Sequence, residues 1–295
     1  MRGRMNHCLE IATIVGFAAL ALPGTAQRRP EPMTVQPVRG GVYFVQGGAG
    51  SNSTFVVGTT GVIVVDAKMT ADSAKEMLAD IAKITPKPVT TVILTHSDID
   101  HVGGLAGFPK GLTIIAQANC KKEMEESLTS PRPAPKDYMP TRTVGMKEDT
   151  TIDGVHVQMF HFAPAHTSGD LIVYFPRQKV VDTGDIVAAQ VPVAIIHLEK
   201  HGSSEGWIRS MKGILALQAT TFIPGHGNLQ TRTEIQQRLT KGETERAKIK
   251  QLVEQGKSLD QIKQALGEPT AASAGGMHFP TFTEVVYQEL TKKKA

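Results

Sequence analysis

Cysteine is almost missing from this chain: 295 residues include two, Cys8 and Cys120. Cys8 falls in an N-terminal leader described below, so Cys120 stands alone and the mature chain can close no internal disulfide. A lone cysteine in a helical pattern, with nothing nearby to activate it, reads as structural. Aromatics are scarce at 5% and the net charge is a mild +4. No dense Lys/Arg stripe with interleaved aromatics occurs, so the expected partner is a small-molecule substrate and not nucleic acid. The short basic end Lys292–Lys294 reads as solvated. The apolar stretch Ile11–Leu22 falls short of the ~20 residues needed to span a bilayer. The Gly-rich stretch Gly47–Ser53 lacks a following Gly-Lys-Ser/Thr, which argues against a phosphate-cradling loop.

What the N-terminus does have is the pattern of a secretory signal peptide. Arg2 and Arg4 precede the apolar core, and Pro23-Gly24-Thr25-Ala26 offers small residues before a cleavage point after Ala26. The expectation is a signal peptide over residues 1–26, export to a bacterial periplasm or medium, and no stable membrane insertion once it is removed.

Residues 27–40 are rich in Pro and Arg and read as an extended lead-in. Gly41–Gln46 reads as a strand, Gly47–Ser53 as a flexible loop, and Thr54–Val57 with Val62–Val65 as a hairpin. Ala71–Ile84 has helical spacing, with Ala74, Met77, Leu78, Ile81 and Ala82 on one face, and Pro86 and Pro88 end it. Further strands are expected at Val89–Leu94, Leu112–Ala116, Thr151–Ile152, Val155–Phe162, Leu171–Phe175, Val180–Val181 and Thr220–Ile223. Helices are expected near Asn119–Leu128 and Ser204–Leu217. The Pro-dense stretch Ser130–Pro140 excludes regular structure. Beyond His226 the chain turns charged and helical, over 231–255, 258–266 and Phe282–Lys293. Strand clusters in each half, interrupted by helices, imply two packed sheets with helices outside.

The chemistry concentrates in Thr95–His101, Thr-His-Ser-Asp-Ile-Asp-His, directly after an apolar strand. His96, Asp98, Asp100 and His101 are all able to bind metal, and alternation sends Ser97 and Ile99 away from them. Three more such residues follow later strands: His166, Asp185 and His226. Each has glycine close by, where the backbone can turn sharply. Seven donors thus converge from strand ends.

In order and in strand-end context these residues resemble the metallo-β-lactamase superfamily, whose first motif is His-x-His-x-Asp-His. The resemblance covers roughly residues 40–228. It implies an α+β, four-layer αβ/βα sandwich over 41–228, and the charged helical stretch over 229–295 is expected to pack on that domain as an extension. It also implies two metals, commonly Zn2+. The first would be held by His96, Asp98 and His166, the second by Asp100, His101 and His226, and Asp185 would bridge them. The implied chemistry is attack by a metal-bound hydroxide on an acyl bond, β-lactam ring, lactone or thioester, with Asp100 orienting that hydroxide or shuttling its proton. Asp98 departs from the motif, standing where the family has histidine. A carboxylate there hardens the site toward Fe or Mn and resembles the flavodiiron branch. A di-iron oxidoreductase and a non-catalytic protein with a degraded first site therefore stand as alternatives. His197, Lys200 and His201, on the segment after Asp185, are expected to contact substrate. Asp66 and Asp182 read as supporting carboxylates, and His156 and His161 as ordinary strand residues. The oligomeric state is left open.

Overall fold

The computed structural model describes residues 31–269 and 279–292. The signal-peptide segment and His278 lie outside the described residues. Among the described residues no helix is long and apolar enough to cross a membrane.

The first sheet runs β1 (Glu31–Arg39), β2 (Val42–Gly48), β3 (Ser53–Val57), β4 (Val62–Val65), β5 (Val89–Ile93), β6 (Thr113–Gln117) and β7 (Arg142–Val144), neighbours in that order. β1 to β4 are antiparallel, and β4 to β7 are parallel. The second sheet holds β8 (Lys147–Ile152), β9 (Val155–Phe160), β10 (Ile172–Phe175), β11 (Val180–Asp182) and β12 (Thr221–Ile223), in the order β12-β11-β10-β9-β8. Helices α1 (Ala71–Ile84), α2 (Ile99–Val102) and α3 (Ala118–Ser127) belong to the first half. Helices α4 (Ser204–Ala216), α5 (Arg232–Glu254), α6 (Leu259–Leu266) and α7 (Phe282–Thr291) belong to the second.

Period-two alternation builds the four layers. In β4, Val62 and Val64 pack toward Ala74, Met77 and Ile81 of α1, while Ile63 and Val65 pack into the core shared by the two sheets. In β10, Ile172 and Tyr174 face the core of α4, and Val173 and Phe175 face the first sheet. A strand covered on both faces must be apolar throughout, which is why Val62–Val65 reads as a continuous run. α1 begins at Thr70, whose side chain accepts from the Ser73 N–H. The C-terminal helices share the second core: Ile235, Leu239 and Ile249 of α5 and Val285 and Val286 of α7 surround Trp207 of α4.

The structure differs from the sequence reading in four places. The lead-in is a strand: β1 pairs with β2 along its length, and its Pro32 and Pro37 are tolerated because the strand lies at the sheet edge. β7 is an unforeseen short strand after Pro140, and β8 begins at Lys147, four residues before the expected Thr151. β8 is an edge strand with exposed residues, so its sequence carries little apolar signal. The Gly47–Ser53 loop is pinned. The buried Lys68 ammonium donates to the carbonyls of Val45 (3.2 Å), Gly47 (3.1 Å) and Ser51 (2.7 Å).

Candidate metal centre

The parallel strand β5 delivers Thr95–His101 to the edge of the sandwich, and α2 carries Asp100 and His101. Thr95 organises the rings behind this segment. Its N–H (2.8 Å) and hydroxyl (2.7 Å) donate to the two oxygens of Asp66. With its own hydrogen committed, the Thr95 oxygen accepts from His96 Nδ1 (3.0 Å). His101 Nδ1 is hydrogen-bonded to Asp66 at 2.7 Å. His166 Nδ1 donates to the Ile195 carbonyl at 2.8 Å. Each of these three rings is therefore held through Nδ1, leaving Nε2 to face the same space.

Ligand atoms gather around that space. Three groups, each with ligand atoms within 4.8 Å of one another, form from the expected residues: His96, Asp98 and His166; Asp100, His101 and His226; and His96, His101 and Asp185. Asp185 sits in a 3-10 turn, Gly184–Ile186, just past β11. Its Oδ1 is 3.4 Å from His101 Nε2, and its Oδ2 is 3.5 Å from His226 and 3.9 Å from His166. One carboxylate thus spans both groups. Asp182 holds this turn by accepting from the Gly184 N–H at 3.1 Å, and itself accepts from the Thr54 hydroxyl at 2.7 Å across the sheets. Burial raises the Asp182 carboxyl to about 7. His226 is placed through Asn52, whose amide donates to the carbonyls of Pro224 and Gly227.

The residues fit divalent metal. His96 Nε2, His101 Nε2 and Asp185 Oδ1 are buried without a hydrogen-bond partner. Leaving such atoms unmatched costs ~1–3 kcal/mol each, an arrangement that a coordinated cation removes. The electrostatics agree. Burial opposes charge on Asp100, yet His101 and His226 hold its carboxyl down to about 2. Burial likewise opposes charge on Asp185 and Asp98, and their histidine neighbours keep both well below the carboxylate range. Burial opposes charge on His166 as well, but Asp98 lifts it to about 9. A site holding this much negative charge among rings binds protons when it lacks metal, and metal binding releases them.

Asp98 lies among the rings. Its Oδ2 is 3.1 Å from His166 Nε2, 3.3 Å from His197 Nε2 and 3.6 Å from His96 Nε2. Its Oδ1 takes a hydrogen bond from Lys200, which also donates to Ser97 Oγ at 3.0 Å. Ser97 and Ser168 in turn donate to the two oxygens of Glu123, each at 2.6 Å. Ser97, expected to point away, thus belongs to the support of Asp98, because the backbone leaves the strand geometry after Ile93. Lys200 is drawn onto Asp98, with its ammonium still partly exposed at the edge of the centre. His201 is not brought to the centre: it adopts a left-handed backbone (φ 57) at the end of the Leu198–Lys200 turn, with an exposed side chain. His156 bonds Asp149 on the neighbouring strand, and His161 bonds the Asp170 carbonyl.

Glu123, Glu199 and Phe279 were not singled out in the sequence. Glu123 and Glu199 sit among ordinary charged residues; Glu123 takes its role from Ser97 and Ser168, far away in the chain, and Glu199 from His197, two residues before it. Phe279, half exposed, stacks edge-on against His197 with ring centroids 5.5 Å apart. It is contributed from 82 residues beyond His197, and nothing local marks it.

The chain is 30% identical over 197 residues to the 2,4-dinitroanisole O-demethylase subunit alpha of Nocardioides sp. (strain JS1661), covering 66% of this chain and 57% of that one. It is 26% identical to metallo-beta-lactamase IND-1 of Chryseobacterium indologenes, covering 60% of this chain and 71% of that protein. The fold superposes on the stereoselective inverting sec-alkylsulfatase Pisa1 of Pseudomonas sp. with a TM-score of 0.73 at 16% identity, over 88% of this chain and 50% of that one. Coverage that broad cannot be reached without part of the helical extension after residue 228. This chain spans little more than half the length of the demethylase subunit and half that of the alkylsulfatase. The family model of the metallo-beta-lactamase superfamily matches residues 47–226, from the Gly-rich loop to the last candidate ligand, and the chain belongs to that superfamily.

Proposed function

We propose that this protein is a binuclear metal-dependent hydrolase of a small organic substrate, acting on an acyl bond such as a β-lactam, lactone or thioester. The observation that carries the reading is the set of buried, partnerless Nε2 and Oδ atoms of His96, His101 and Asp185, with the other donors around them. His96, Asp98 and His166 would hold one metal and Asp100, His101 and His226 the other, with Asp185 between. Two such ions supply Lewis acidity and a water activated at neutral pH; Zn2+ suits the imidazoles, and the carboxylates admit Fe or Mn.

The chain's own residues do the rest. Asp66, Thr95 and the Ile195 carbonyl fix the rings so that Nε2 faces inward. Asp100 is the most exposed of the three central carboxylates, its side chain 29% accessible against 16% for Asp98 and 7% for Asp185. It stays ionised at neutral pH, so it can accept a hydrogen bond from a water at the mouth and orient it. Phe279, half exposed and edge-on to His197, offers an apolar face beside the centre, suited to the carbon skeleton of a substrate.

A second reading, cleavage of an aryl ether or an alkyl sulfate ester, is supported by the relatives named for those reactions and by the shared helical extension. A turnover panel separates the two. Metal-stripped protein is supplied with Zn2+, Mn2+ or Fe2+ separately and assayed on a β-lactam, a lactone, a thioester, an aryl methyl ether and a secondary alkyl sulfate. Metal-dependent turnover confined to the first three supports the proposal, and turnover confined to the last two replaces it with the second reading. Two tightly held irons without turnover of any of the five overturn both. For location, we propose export to the periplasm, on the N-terminal pattern alone. Mass analysis of the protein from a periplasmic fraction should then find a chain beginning at Gln27.

A further inference from the structure

Of the expected donors to the first metal, Asp98 stands where the family motif has an imidazole, which leaves His96 and His166 as its two rings. We infer that His197 is the third imidazole of that site, a metal ligand in its own right. The inference rests on the metal centre proposed above and names a donor that the family motif does not contain.

Three observations carry it. Asp98 Oδ2 is 3.6, 3.1 and 3.3 Å from the Nε2 atoms of His96, His166 and His197. Donors about 2.0–2.2 Å from a four- or five-coordinate ion stand about 3.0–3.7 Å apart, and His197 lies at that spacing from Asp98, as do the other two rings. The wiring of the far nitrogen also matches. His197 Nδ1 is hydrogen-bonded to the Glu199 carboxylate, as His101 Nδ1 is to Asp66 and His166 Nδ1 to a carbonyl. That arrangement fixes the ring and makes Nε2 the donor atom. Third, the position is built into the backbone. The His197 N–H donates to the His166 carbonyl at 2.8 Å, and its own carbonyl accepts from Lys200 (3.0 Å) and Gly202 (2.9 Å). His166 packs edge-on against one part of the ring at 4.8 Å between centroids, and Phe279 packs against another.

His197 adjoins the tight His96–Asp98–His166 group through Asp98, and would complete that group on the Asp98 side. The result is a donor set of three nitrogens and the Asp98 carboxylate, with the spanning Asp185 as a fifth donor. Restoring the third imidazole moves the site back toward Zn2+ from the Fe or Mn preference of a carboxylate-rich one.

Co2+ titrated alone into the metal-stripped full chain tests this without turnover. Each histidine bound through Nε2 to high-spin Co2+ gives one strongly shifted, exchangeable Nδ1–H proton resonance. The fully loaded wild type should show five, from His96, His101, His166, His197 and His226. His197→Gln should lose one of them and bind the first Co2+ at least about tenfold more weakly, while the second site still fills. Four resonances in the wild type overturn the inference, whether or not the variant folds. So does a His197→Gln chain that retains the wild-type count. A wild type that binds no Co2+ removes the metal centre and this inference with it. A wild type with two Co2+ ions and five resonances but no hydrolysis upholds the inference while the proposed activity fails.

Discussion

Asp66 touches no second-site donor except His101, yet it should govern how tightly that site holds metal. One oxygen takes the Thr95 N–H, and the other takes the Thr95 hydroxyl and lies 2.7 Å from His101 Nδ1. In Asp66→Asn an amide NH2 must replace one of these oxygens. If it faces Thr95 N–H, a backbone donor meets a donor. If it faces His101, the ring does best with its proton on Nε2, the nitrogen the metal needs. Either way the ligand is mis-set, and loss of such a partner typically lowers metal affinity 10–100-fold, or about 1.4–2.7 kcal/mol. Asparagine also keeps the backbone comfortable. Asp66 has φ 60, a left-handed conformation that Asn accepts and Ala resists by ~1–2 kcal/mol. Asp66→Ala should therefore lose stability as well, because it strands Thr95 and His101 donors in a buried site at ~1–3 kcal/mol each. Zn2+ titration against a competing chelator measures the first effect, and denaturant unfolding of metal-stripped protein measures the second. A Zn2+ affinity for Asp66→Asn within twofold of wild type at both sites would refute the reasoning.

Gly225→Ala should empty the centre: a Cβ there would lie 1.9 Å from Asp185 Oδ1, so the spanning carboxylate must move, and metal analysis should find fewer than two ions per chain; two full ions would show that the turn yields without harm. Lys200→Met frees one oxygen of Asp98, and first-site Zn2+ affinity should fall about fivefold, about 1 kcal/mol for a partly exposed charged bond; an unchanged competition curve counts against that support. Lys68 should make stability pH-dependent. Burial lowers its ammonium from 10.5 to about 7. Between those values the unfolded chain binds the extra proton, so unfolding free energy rises with pH by up to ~1.4 kcal/mol per unit. The stability of wild type minus that of Lys68→Met should climb from pH 7 to 10; a flat difference contradicts the assignment.

The sequence by itself determined the periodic and the contiguous features. α1 was legible in full because Ala74, Met77 and Ile81 recur on one helical face and Pro86 stops it. The buried strands β4 and β10 were legible because every residue in them meets a core. His96–His101, His166, Asp185 and His226 were legible as a set because metal donors after strands, beside glycine, are a local pattern. Tertiary structure decided what depends on a distant neighbour. β1 and β8 are edge strands with exposed faces, so only their partners β2 and β9 make them strands. His197 and His201 are alike in sequence, and the αL turn after Lys200 sends one toward Asp98 and leaves the other in solvent. Lys200 reads as a substrate contact, and nothing in its own segment shows that the fold brings Asp98, 102 residues away, against it. A burial pattern is written along the chain, whereas the partner of a charge is fixed only when two distant segments close on each other. That is why the donors could be read from the sequence, and why the geometry that holds and tunes them could not.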